Sequence, residues 1–196
     1  MTAAPTTAPT LTTARLLLRG HQAADLDECT ALWQDPEVIR YTTGHPVARQ
    51  DVWTRLLRHP GHWSLLGFGY WLAFERASGR FVGEVGLARF ERDFLQPYLE
   101  LSPLPEAGWV TLPWAHGRGF ASEAMTAVLD WQDRRGLAPR TFCIIHPENG
   151  PSLRLAAKLG FRPDREVPHG EHTWQVLSRT TPEGAARPAA GLLPDR

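Results

Sequence analysis

The chain has 196 residues, with 21 acidic and 21 basic side chains, 42% hydrophobic residues and 10% aromatics. That length accommodates one domain with a substantial core, and the composition is too polar for a membrane protein. The even charge balance argues against a polyanion binder working through bulk electrostatics, so neither nucleic acid nor membrane is an expected partner.

Met1 to Thr10 lacks a basic segment followed by an apolar run, so no signal peptide is read there and a cytoplasmic location is expected. Residues 1–10 and 180–196, both rich in small residues and Pro, are expected to be disordered tails around a single domain at 11–179. Leu16 to Leu18 reads as a first strand. Asp25 to Gln34 reads as a helix carrying Leu26, Cys29, Leu32 and Trp33 on one side, and Gln50 to Arg58 as a second helix. Tyr70 to Phe74 and Phe81 to Phe90 pair as a hairpin about the turn at Ala77 to Arg80. Trp109 to Leu112 is a third run and stops at Pro113. Ala121 to Arg135 places Ala121, Ala124, Met125, Val128 and Trp131 on one helical stripe, with Gly136 as the stop. Thr141 to Ile145 reads as a strand buried on both faces, Pro151 to Leu159 as a short helix, and Thr173 to Ser178 as the last strand. This order describes an α/β domain with a mixed sheet.

Cys29 and Cys143 follow no ligand spacing and read as buried thiols. The pairs His59/His62 and His169/His172 lack a third ligand, so no metal is expected. Lys158 is the lone Lys and Asn149 the lone Asn.

The most informative segment runs from Trp109 to Ala124: a strand ending at Pro113, a tight turn at Gly117-Arg118-Gly119, then Phe120-Ala121-Ser122 opening a helix. Such a turn aims unpaired backbone N–H groups at one point and suits a phosphate or pyrophosphate. It is neither a P-loop nor a dinucleotide fingerprint. From spacing alone it is equally a plain strand-to-helix turn. A second segment follows: His146-Pro-Glu-Asn-Gly-Pro-Ser152, a short helix, and Lys158-Leu-Gly-Phe161.

Together the two segments resemble the GNAT acetyltransferase superfamily, most closely its branch of ribosomal-protein N-terminal acetyltransferases. His116-Gly-Arg-Gly-Phe-Ala121 is similar to the acetyl-CoA signature, with His116 where most relatives have Gln or Arg. Ser122-Glu123-Ala124, Asn149-x-x-Ser152, Leu159-Gly-Phe161 and the opening Thr13-Ala-Arg-Leu-Leu-Leu-Arg19 also match.

The resemblance implies a mixed, mostly antiparallel sheet with flanking helices, in which the fourth strand splays from the fifth and admits the pantetheine arm of acetyl-CoA. It implies cofactor contacts from Val110, Thr111, Leu112, Gly117, Arg118, Gly119, Phe120, Ala121, Ser122 and Asn149. An N–H near Val110 to Leu112 is expected to point at the thioester carbonyl. Ser152 is the expected group at the leaving thiolate, although an ordinary Ser in a helix first turn looks the same. For the general base, Glu84, Glu106, His146 and Glu171 are open, with Glu171 favoured because the late loop borders the acceptor side in relatives. Trp33, Tyr41, Trp53 and Trp63 could line an acceptor site or seal a core. The implied reaction is acetyl transfer from acetyl-CoA to an amine, either a protein N-terminus or a small molecule. An acyl-CoA-binding regulatory module with weak turnover is the alternative, and a homodimer is open.

Overall fold

In the computed structural model, which describes residues 5–182, the chain runs β1 (Leu11–Thr12), β2 (Leu16–Arg19), α1 (Leu26–Gln34), α2 (Pro36–Ile39), α3 (Arg49–Leu66), β3 (Tyr70–Glu75), β4 (Phe81–Ala88), β5 (Glu106–Thr111), α4 (Phe120–Arg135), β6 (Arg140–Ile145), α5 (Gly150–Lys158), β7 (Arg162–His169) and β8 (His172–Thr180). The strands form one sheet in the order β1-β2-β3-β4-β5-β6-β8-β7. Neighbours are antiparallel except for β5 and β6, which run parallel. This is the mixed, mostly antiparallel sheet implied by the resemblance.

Period-two alternation divides the side chains of β3 between two cores. Trp71 and Ala73 face α4, where they meet Phe120, Ala124, Met125 and Val128. Leu72 faces the opposite side, against Cys29, Leu32 and Trp33 of α1 and Val52 and Leu56 of α3. Each fully buried side chain of Leu or Phe size contributes about 1.5–3 kcal/mol to such a core. Trp63, Trp71 and Trp131 meet edge to face with centroids 4.6–5.4 Å apart. Two of their polar edges are satisfied within the core, as Trp71 Nε1–H donates to Pro9 C=O and Trp63 Nε1–H to Tyr70 C=O. Thus Pro9 is held to the sheet within the expected N-terminal tail. Residues 1–4 and 183–196 of the expected tails lie outside the described residues.

Besides the short β1 and α2, which the sequence reading did not include, two longer elements differ from it. Helix α3 does not stop at Arg58 but continues through Pro60 to Leu66. A proline inside a helix costs about 3 kcal/mol. Here burial of Val52, Leu56, His59 and Trp63 along one face offsets that cost, and Gly67 at φ +72° provides the real stop. Strand β7 was not anticipated because Pro163 and Pro168 interrupt it. Both are tolerated because β7 is an edge strand, paired only with β8.

The sheet is parted at its centre. β5 and β6 share one bridge, Glu106 opposite Phe142, and diverge beyond it. β5 keeps its full antiparallel pairing with β4 on its other side, from Ala88/Glu106 to Gly83/Thr111. No helix among the described residues is long and apolar enough to cross a membrane.

Candidate active site

The Gly-rich turn lies where β5 hands over to α4. Gly117 and Gly119 have φ of +70° and +78°, a region that side-chain-bearing residues avoid. The first intrahelical bond of α4 runs from Glu123 N–H to Gly119 C=O, so the amides of Phe120, Ala121 and Ser122 have no intrahelical acceptor. They point outward at the positive end of a 16-residue helix, an arrangement that fits a phosphate. A Cβ on Gly117 would meet nothing within 4 Å, so backbone conformation, not crowding, selects glycine there.

Side chains brace this turn from behind. Glu123 accepts from Thr13 Oγ1 and from the Arg15 amide and Nε, at 2.5, 2.8 and 2.6 Å. Arg15 also donates to Arg118 C=O, and Arg118 pairs with Glu75. The matched opening segment and the matched Ser122-Glu123-Ala124 are therefore one hydrogen-bonded assembly. His116 is half-exposed, and its Nε2 lies 2.9 Å from Thr111 C=O, tying the turn to the end of β5.

Of the amides expected to face the thioester, Leu112 N–H is taken by Val82 C=O. By antiparallel alternation Val110 N–H also turns toward β4, which leaves the amides of Thr111 and Trp109 on the parted side. Thr111 is thus the one residue of the three whose N–H can meet a group in the gap.

A cavity of about 300 Å³ fills the gap between β5 and β6 and extends toward α3. Val110, Asn149 and Ser152 line it, whereas residues Gly117 to Ser122 lie outside it and Glu171 is exposed at the β7/β8 hairpin tip. Asn149 caps α5, its Oδ1 accepting Ser152 N–H at 3.2 Å. The Ser152 hydroxyl lies 3.3 Å from Trp109 Nε1, so the indole N–H of β5 donates to it across the gap. Trp109 was not read as a site residue because this contact joins segments distant in sequence.

The four candidate bases have different surroundings. Glu106 is held by a bidentate pair with Arg92 at 2.7 and 2.8 Å. His146 accepts Glu148 N–H at Nδ1, so its neutral ring carries the proton on Nε2 and has no free lone pair; burial and His172 lower its pKa. Glu171 is absent from the cavity wall. Glu84 lines the cavity, is 3% exposed and accepts Trp33 Nε1–H at 3.2 Å. Burial opposes its ionisation, but His21 and His59 beside it outweigh burial and hold its pKa at about 2. His59 in turn is held neutral at pH 7, chiefly by burial and then by His21, with a pKa of about 3.

The same cavity carries two guanidinium groups without acidic partners among the described residues. Arg55 lies over the Trp33 ring and Arg58 over the Phe90 ring. Trp33 and Tyr41 also line the cavity, while Trp63 is 2% exposed in the core and Trp53 lies at the surface.

Comparison with known proteins agrees with this architecture. The acetyltransferase (GNAT) domain family matches residues 15–162. An uncharacterized Bacillus subtilis protein, YkkB, is 28% identical over 162 residues, covering 80% of this chain and 87% of its own. A solved structure assigned to the GNAT-family acetyltransferases, from Bordetella pertussis, is 31% identical with a TM-score of 0.77, covering 88% of this chain and 99% of its own. RimL, a ribosomal L7/L12 α-N-protein acetyltransferase solved with coenzyme A, shares the fold at 14% identity and a TM-score of 0.71, covering 88% and 98%. The chain belongs to the GNAT acetyltransferase family.

Proposed function

We propose that the protein is a cytoplasmic, acetyl-CoA-dependent N-acetyltransferase acting on a primary amine by direct attack on the thioester. The observation that carries this reading is a single cavity in the parted sheet with Ser152 at one side and the carboxylate of Glu84 at another. The free amides at the start of α4 and the positive-φ glycines fit the phosphates of the donor. When bound, the donor supplies an electrophilic thioester carbonyl and a thiolate leaving group.

The chain's own groups then divide the work. Thr111 N–H stabilises the negative charge that develops on the carbonyl oxygen, a donation worth about 3 kcal/mol in comparable sites. Trp109 occupies a lone pair of the Ser152 hydroxyl, which leaves its O–H to face the departing sulfur. Glu84, ionised at neutral pH, attracts the acceptor amine, and as the C–N bond forms and the nitrogen becomes acidic it accepts the proton through water. Glu84 replaces Glu171 as our assignment because Glu84 faces the cavity and Glu171 does not.

Arg55 and Arg58 favour an acceptor with an anionic group near its amine, such as an amino acid or an acidic peptide N-terminus. RimL, as an α-N-protein acetyltransferase of ribosomal L7/L12, is compatible with the second. The test is release of free CoA thiol from acetyl-CoA with a panel of amines, with products identified by mass spectrometry. Turnover with at least one primary amine is expected. Stabilisation by acetyl-CoA without turnover on any amine would leave the regulatory-module alternative standing instead.

A further inference from the structure

At the α3 end of the cavity, His21, His59 and Glu84 come together from the β2–α1 loop, α3 and β4. His21 Nε2 is 3.8 Å from one carboxylate oxygen of Glu84, and His59 Nε2 is 4.0 Å from the other. One ligand atom from each residue lies within 4.8 Å of those from the others. The imidazoles stack at 4.1 Å between centroids with 18° between planes, so their nitrogens face the carboxylate side by side. All three side chains are at most 5% exposed.

These spacings are too long for hydrogen bonds, so among the described residues the carboxylate keeps only the Trp33 indole N–H as a donor. Both nitrogens of His21 and Nδ1 of His59 are buried without a partner. A neutral imidazole always carries one N–H, so His21 holds an unmet donor in the core. Buried polar groups of this kind are nearly always paired, and the Nε2 atoms of His21 and His59, which face the two oxygens of Glu84, are placed to share one partner with that carboxylate.

We propose that His21, His59 and Glu84 bind a divalent transition-metal ion of the zinc class at the closed end of the cavity. Two imidazoles and one carboxylate are the donor set that zinc accepts, with bonds of about 2.0–2.2 Å. Tetrahedral ligand atoms then sit about 3.3 Å apart, so the nearer pairs, at 3.8 and 4.0 Å, need to close by about half an ångström and the widest by up to about 1.5 Å, which side-chain rotation supplies. His59 and Glu84 line the cavity, which provides the entry path and a fourth position for water; His21 lies buried behind them, outside the lining. Trp33 Nε1–H fixes the carboxylate from outside the ligand set. The ion also compensates a buried carboxylate that has no cationic side chain bonded to it.

The site itself does not rest on the acetyltransfer reading. Where Glu84 accepts the amine proton, a metal on that carboxylate blocks it, and zinc acts as an inhibitor of transfer.

The experiment is titration of the chelator-stripped, full-length protein with Co²⁺, followed by visible absorption, and with Zn²⁺ by calorimetry. One equivalent of Co²⁺ is expected to give the intense bands of a low-symmetry site, and Zn²⁺ to displace it. His21→Gln, His59→Gln and Glu84→Gln should each weaken binding about 100-fold, a loss of the size seen when metal sites are disturbed. Circular dichroism establishes that each variant is folded, and the wild-type titration stands even if one is not. Absence of saturable binding to the wild type, or binding unchanged by all folded variants, overturns the site. Metal binding without inhibition of amine acetylation overturns only the proton-accepting role of Glu84.

Discussion

The indole Nε1–H of Trp109 on β5 donates to the Ser152 hydroxyl at the start of α5 across a 3.3 Å gap, joining the two walls of the parted sheet. Ser152→Ala is expected to lower kcat about 100-fold with little change in KM for acetyl-CoA, as for loss of a general acid. Trp109→Phe leaves the hydroxyl but frees its orientation, and a smaller loss in kcat, about tenfold, is expected. Steady-state kinetics of both variants check this; equal losses in KM instead would show that the pair only positions the donor.

Gly119→Glu tests the turn. The added carboxylate stands at the end of α4 where an anion is expected, and a side chain at φ +78° adds strain of about 1 kcal/mol. Its nearest neighbour would be Arg15, at 3.4 Å from the Cβ, so crowding is slight. Gly119→Ala should raise KM for acetyl-CoA modestly, and Gly119→Glu by more than tenfold. An unchanged KM for the glutamate variant would remove the turn from the binding site.

Stability should fall in mild acid. His59 is neutral in the fold with a pKa of about 3, below its ordinary 6.5, so between those values the unfolded chain binds more protons than the folded one. Stability is then lost as pH falls below about 6.5, by about 1.4 kcal/mol at one unit below. Glu84, held at about 2, adds to the loss only at lower pH, from about 4.5 downward. Thermal melts at pH 7.5 and 5.5 should show a fall in Tm that His59→Gln reduces.

Arg55 and Arg58 are proposed to select the acceptor. Arg55→Ala is expected to raise KM about 10-fold or more for an amine bearing a carboxylate, since a bond to a charged group contributes about 1.5–3 kcal/mol. A neutral amine of the same size should be much less affected. Equal effects on the two amines would assign Arg55 to packing on Trp33.

The site was legible in the sequence where it is local. Gly117, Gly119 and the start of α4 form one continuous segment, and Asn149 and Ser152 form another, so the backbone demands of turn and cap appear directly as residue types. The cluster of His21, His59 and Glu84 left no such trace, because its members come from a loop, a helix and a strand that only the folded sheet brings together. His59 and His62 showed a spacing, but the partner of His59 is His21, not His62. Pro60 hid the second half of α3 because local propensity lost to tertiary burial, and the prolines of β7 hid an edge strand. The sequence placed the expected oxyanion donor only to within three residues; the bond from Leu112 N–H to Val82 C=O leaves Thr111 N–H as the one of the three on the parted side.

The single bridge between Glu106 and Phe142 means that the molecule consists of two plates, β1 to β5 and β6 with β8 and β7, sewn by one stitch. The Arg92 clamp on Glu106 holds that stitch at the base, and the Trp109 bond spans the seam further along. Under the proposed function, a linear donor with its own amides would enter the seam as a temporary strand that completes the fabric. Letting go of it means unpicking several bonds at once. Departure of spent donor, rather than bond-making at the amine, is therefore expected to pace turnover, and a burst of acetylated product in the first cycle would display it.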